Sequence, residues 1–356
     1  MNALPVRATT ITLILMGVVT ACAAEQTTTP EKATEPTPRV EERTLSFVTE
    51  LESLPMPSSD EVMTISIVDL RALSAANGVD IPDRTDEAAV LEWTRILAGN
   101  GTRPSVASAE LPWLIRGDPN AFTSETGLSA TDFASFASLI TTPEEFTVVR
   151  GNWAGVEPAR SLTDVEEGIV SVGTGEDYDA GRGGSRHGAD FFGRPVRLAR
   201  VEDRIALSLS TPMTRRWREH RGPTLADDPS LLAVGQALDR TEVVSAYLVA
   251  ASRPDAVGAY GVGWATDQGV PLIIGVYDAG CAAGAKRLVE PLRRMFERGG
   301  RAGAFKDVLT LTSVSAMGRT VLATLAVGDD AGVLAPLEAI EDGTWPQTPD
   351  GVTSLC

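Results

Sequence analysis

Two rhythms of apolar residues alternate along this chain. One repeats every three to four positions and marks helices; the other repeats every second position and marks strands. Near the start of the folded part, Leu45, Phe47, Val48 and Leu51 fall on one helical face that ends before Pro55. EVMTISIVDL (61–70) then reads as a strand, and Asp69 suits the cap of a short helix, RALSAAN, that Gly78 closes. A second helix is expected over 87–98, after Asp86 and before Gly99, followed by an irregular stretch to residue 129 that holds the apolar knot LPWLI. FASFASLIT, the turn TPEE and FTVVRG predict a hairpin. Residues 157–167 are expected to be helical and GIVSV to be a strand. After a Gly-rich loop (173–193), PVRLARV and RIALSLS predict another hairpin across Glu202 and Asp203, with Thr211 capping a helix that has Pro212 first and ends at Gly222.

The rest replays this order. Asp228 and Pro229 open a helix over SLLAVGQALD, EVVSAYLVAA is a strand, and VGAYGVGWAT and VPLIIGVYD flank the turn at Asp267, Gln268 and Gly269. A helix over 281–298 should kink or split at Pro291. VLTLTSVS and RTVLATLAV make a last hairpin before a helix over 331–340. The expected fold class is α+β: mixed, mainly antiparallel sheets with helices packed on one face, built as two duplicated halves, 44–228 and 229–356.

Ahead of these halves the pattern is different. Arg7 is the only charged side chain in residues 1–21, and an apolar run, ITLILMGVV, leads through small residues to Cys22. That is the layout of an export signal, and its core is shorter than the ~20 residues a permanent membrane helix needs. The segment VVTAC (18–22) resembles the lipobox of bacterial lipoproteins. The resemblance covers only the signal and implies cleavage between Ala21 and Cys22, with the Cys22 thiol carrying a diacylglyceryl group. It also implies a location on the extracytoplasmic face of the cell membrane, anchored by acyl chains such as palmitate. Two or more such chains anchor stably where one does not. Residues 22–43 are rich in Thr, Pro and Glu, lack aromatics and are expected to be a disordered spacer.

Charge and cysteine count refine this picture. The formal net charge is −17, and removing residues 1–21 with Arg7 takes it to −18. Such an acidic chain is a poor partner for nucleic acid or anionic headgroups. If Cys22 carries lipid, Cys281 and Cys356 remain, and an exported pair predicts a disulfide. It would close a loop of about 75 residues, worth roughly 4.5 kcal/mol in the chain-entropy model. The alternative is a buried thiol at Cys281 beside a frayed end.

Candidate chemistry is sparse. His220 sits at a helix end, where it suits capping or the surface. Asp177, Asp179, His187 and Asp190 belong to the Gly-rich loop and are the candidates for a functional loop. Gly181 stands where a calcium loop needs its third ligand, so no metal is expected. No G-x-S-x-G elbow or P-loop lysine occurs, so no catalytic residue or cofactor is assigned. Trp93 and Trp113 read as core, and Trp153, in a turn, could stack on a sugar or a partner. The expected role is a non-enzymatic binding or adaptor protein of the envelope, with an unknown protein or small molecule as partner. The alternatives are a lipid or glycolipid carrier, or an enzyme of unrecognised type.

Overall fold

The computed structural model describes residues 45–58, 61–98, 104–105, 118–179, 193–250, 257–300, 303–328, 334–346 and 356. All of them belong to one compact unit, Arg43–Cys356. The signal segment, the spacer, Trp113, His187 and Asp190 lie outside the described residues.

Local signals fix most elements of the first half. Helix α1 (Phe47–Ser53) starts at Ser46, whose hydroxyl accepts from the Thr49 N–H. Strand β1 (Met63–Asp69) runs into α2 (Leu70–Asn77), where the Asp69 carboxylate accepts from the Ala72 N–H and Gly78 closes the end. Helices α3 (Glu87–Leu97) and α4 (Pro119–Thr126) are capped by Asp86 and Asp118. The hairpin β2 (Phe133–Thr141) and β3 (Glu144–Gly151) follows, then β4 (Thr163–Glu166), β5 (Ile169–Val172), β6 (Val196–Val201), β7 (Arg204–Ser208) and α5 (Thr211–Arg218).

The second half holds α6 (Pro229–Leu238), β8 (Val243–Ala250), β9 (Ala259–Asp267) and β10 (Val270–Asp278). It continues through α7 (Ala282–Glu297), β11 (Leu309–Met317), β12 (Thr320–Val327) and α8 (Ala335–Glu341).

Three expectations about local elements change. Residues 157–167 are not helical. The Ala159 N–H is taken by the Thr126 carbonyl, and Thr163–Glu166 pairs with β5 across a turn at Gly168. The cap of α5 is Ser210, one residue earlier than expected, because its hydroxyl faces the Met213 N–H. Pro291 does not split α7, since Leu288 on one side of it and Leu292 and Phe296 on the other are all buried in one core.

The twelve strands form one open sheet in the order β11-β12-β10-β9-β8-β1-β2-β3-β7-β6-β5-β4. Every pairing is antiparallel. Read outward from the β1–β8 contact, one side runs β1, β2, β3, β7, β6 and the other β8, β9, β10, β12, β11. Five strands on each side of this contact follow the same relative order, β5 and β4 extend the first half beyond them, and β1 against β8 joins the two expected sheets into one.

The expected helical layer lies over one face, and further helices cover the other. On the first face, Phe47 and Leu51 of α1, Leu231, Val234 and Leu238 of α6, and Met213 and Trp217 of α5 share a core with strands of both halves. On the second face, the first half has a core built by α2, α3 and α4 around Trp93 and Phe122. The second half has one built by α7 and α8 around Tyr277, Phe296 and Trp345. Central strands are buried on both sides, so both faces need cover. Cys281, the cap of α7, is joined to Cys356 in the expected disulfide.

Candidate functional site

The site grows from a pairing between residues 54 positions apart in the chain. Arg150 near the end of β3 stands directly opposite Arg204 at the start of β7. Val148 and Ala206, two residues along each strand, point into the core shared by the halves, so both arginines leave the sheet on that face. Like charges in directly opposed positions destabilise an antiparallel pair. The turn between β6 and β7 offsets part of this, because Asp203 Oδ2 lies 3.0 Å from Arg150 Nε. The Arg204 side chain forms no hydrogen bond or ion pair with a described residue, and its charge acts on Glu50 below.

Beneath the pair lies Glu50 of α1, only 1% exposed. Ser135 Oγ donates to its Oε1 at 3.2 Å, and Arg150 Nη1 stands 3.9 Å from the same oxygen. Its other oxygen has no partner. Burial pushes the Glu50 carboxyl above its ordinary range, against the opposing pull of Arg204, then Arg150, then the Ser135 hydroxyl.

Above the arginines opens a cleft of about 340 Å³, walled by Glu52 and Ser53 at the end of α1 and by Arg216, Trp217 and His220 at the end of α5. His220 is exposed and takes a left-handed backbone (φ 52°), so its expected place at a helix end holds, at the mouth of this cleft.

A second hollow, about 200 Å³, is apolar and includes Leu128, Trp153, Leu162, Val170 and Ile205 in its lining. Trp153 is buried rather than offered to a sugar. Its Nε1 donates to the Asp203 carbonyl at 2.8 Å, and its ring meets Phe133 edge-on at 5.7 Å. Trp93 is core, as expected.

Of the Gly-rich loop candidates, Asp177 holds structure together. Its carboxylate takes the Thr211 N–H at 2.7 Å and the Thr211 hydroxyl at 2.7 Å, at the start of α5. It also pairs with Arg197, a buried guanidinium that reaches Ser171 and the Gly175 carbonyl as well. Asp179 is exposed beside it. No group of three or more metal-ligating side chains exists among the described residues. No described helix is long and apolar enough to cross a membrane.

Arg150, Arg204 and Glu50 escape a reading of the sequence by motif. One signal was available: Glu50 stands three residues after Phe47 and four before Leu54, at a core position of an otherwise apolar helical face.

These features define an α+β protein with one open twelve-stranded antiparallel sheet and a polar cleft at the edge of the core its halves share. No family model and no curated protein matches the chain. Among solved structures it is similar to crystal form I of TP0453, with 9% identity, a TM-score of 0.36 and coverage of 83% of this chain and 98% of that one. Crystal form III of TP0453 gives 8% identity, a TM-score of 0.35 and coverage of 78% and 94%.

Proposed function

We propose that this chain is a lipid-anchored protein of the cell envelope, held on the extracytoplasmic face through Cys22, whose α+β body is a binding or adaptor module. The anchor rests on VVTAC and the Thr/Pro/Glu-rich spacer behind it. The binding role rests on the cleft, where Arg150 and Arg204 are held side by side and the Arg204 side chain has no hydrogen-bonded or ion-paired partner among the described residues. An arrangement that costs stability when empty and regains it when filled is what a binding site requires.

A photo-cross-linking side chain at position 220, at the cleft mouth, tests this in producing cells. The reading expects a cross-linked ligand or partner at 220 and none from a control position on the exposed face of α3, such as Leu91. Equal labelling from both positions, or none from 220, would contradict it.

The lipid or glycolipid carrier is a second reading, favoured by the apolar hollow at Trp153. At about 200 Å³ that hollow is smaller than the roughly 300–1,000 Å³ of small-molecule pockets and would take part of one acyl chain. Native mass spectrometry of the protein decides it: a co-purified lipid that is lost in Leu162→Arg supports a carrier, and a bare mass removes it.

A further inference from the structure

We propose that the Arg150–Arg204 cleft binds a phosphate-type oxyanion and that binding is coupled to a proton on Glu50. This rests on the binding-module reading and names the chemistry of its ligand.

The charges around the pair carry the inference. Two guanidiniums face the cleft from opposed strand positions, and one carboxylate, Asp203, is committed to Arg150. Glu52 and Glu202 also line the cleft, whereas Glu50 beneath the arginines is buried with an unpartnered oxygen, an environment that favours its neutral form. With Glu50 protonated, Arg204 is left with a full positive charge and unmet donors facing a cavity. Guanidinium forks match phosphate and carboxylate geometry, and a pair of them suits a group with several equivalent oxygens. The cleft volume, about 340 Å³, fits a headgroup-sized molecule.

The groups facing Glu50 set the sign of the coupling. They are Arg150 and Arg204 from β3 and β7, Asp203 from the turn between β6 and β7, and Ser135 from β2. An anion seated on the arginines weakens their hold on a Glu50 carboxylate, so it raises the proton affinity of Glu50. By linkage, protonated Glu50 strengthens anion binding, and affinity falls as pH rises. One competing explanation is that the basic residues only complement the helix carbonyls that end at this cleft. Arg150 and Arg204 lie on strands, however, and belong to neither helix.

The test uses the full chain reconstituted in vesicles of digalactosyldiacylglycerol, a lipid without phosphate, and titrated calorimetrically with dimethyl phosphate, an anion whose charge is constant from pH 5.5 to 8. Neutral trimethyl phosphate serves as control. Expected are binding of the anion alone, affinity falling with pH by up to about tenfold per unit, and at least about tenfold weaker binding in Arg204→Gln. Glu50→Gln should bind with little pH dependence. The source of the phosphate is read by adding phosphatidylglycerol to the vesicles. Loss of dimethyl phosphate binding assigns the cleft to a lipid headgroup, and unchanged binding assigns it to a free phosphate compound.

No binding by the wild type, equal binding of the neutral ester, or unchanged binding in Arg204→Gln overturns the oxyanion. A pH dependence that survives in Glu50→Gln overturns the coupling. The two wild-type titrations need no variant to fold. Cross-links at position 220 without dimethyl phosphate binding would retire the oxyanion and leave the binding module standing.

Discussion

Glu50 and Asp177 are two carboxylates with opposite fates. Glu50 is an acid at a core position, and its folded pKa lies above its unfolded one. The native state therefore holds the proton more tightly, so its contribution is fully present below the unfolded pKa and is lost as pH rises through the folded value. Glu50→Gln keeps the shape and removes the titration. Denaturant unfolding from pH 4 to pH 8 should show the wild type losing stability relative to this variant as pH rises; parallel curves would contradict the account. Asp177 sits on Arg197 and the start of α5. Asp177→Ala leaves a buried guanidinium without its carboxylate, which typically costs about 3 kcal/mol, somewhat less here because Asp177 is partly open to solvent. Urea unfolding measures it, and addition of calcium or EDTA should leave the wild-type melting temperature unchanged. Neither role could be read from sequence, since each depends on partners that approach only in the folded chain. The burial of Glu50 was legible from its spacing with Phe47 and Leu54.

The elements were the most legible level, because the residues that start and stop them are local. Asp69, Asp86 and Asp228 cap helices through their side chains, and Gly78 closes one through its left-handed backbone, each where the sequence places it. The stretch 157–167 misled because its charges suit a helix, whereas Ala159 is held by the end of α4 and Thr163–Glu166 by β5. How elements dock was not legible either. Helices α1 and α6 cross at Gly235, where an added methyl would come within 2.9 Å of Leu51 Cδ1. Asp239, just past α6, accepts the N–H groups of Phe47 and Val48 at the start of α1, joining segments 192 residues apart. Gly235→Val should overpack this crossing and cost about 1–3 kcal/mol in chemical denaturation; a neutral result would mean the helices do not meet as described.

At the scale of the whole molecule, repetition in the order of elements suggested two duplicated halves, and five strands on each side of the β1–β8 contact follow the same relative order in the sheet. The join was hidden, since nothing local to β1 or β8 announces that they pair. Because the core under α1 and α6 draws on both halves, neither 44–228 nor 229–356 should fold alone. The disulfide acts at this scale too, closing 75 residues of the second half. Cys356→Ser should lower stability by up to about 4.5 kcal/mol, seen as a lower unfolding midpoint that matches the reduced wild type. A variant as stable as the oxidised protein would show that the bridge contributes nothing.

The reading as an envelope protein holds only if this body is carried on a lipid at its N-terminus. Mass spectrometry of the N-terminal peptide from the membrane-extracted protein tests that most directly. The account predicts a peptide that begins at Cys22 and carries a diacylglyceryl group on its thiol. A mature chain that begins elsewhere, or an unmodified Cys22, would contradict it.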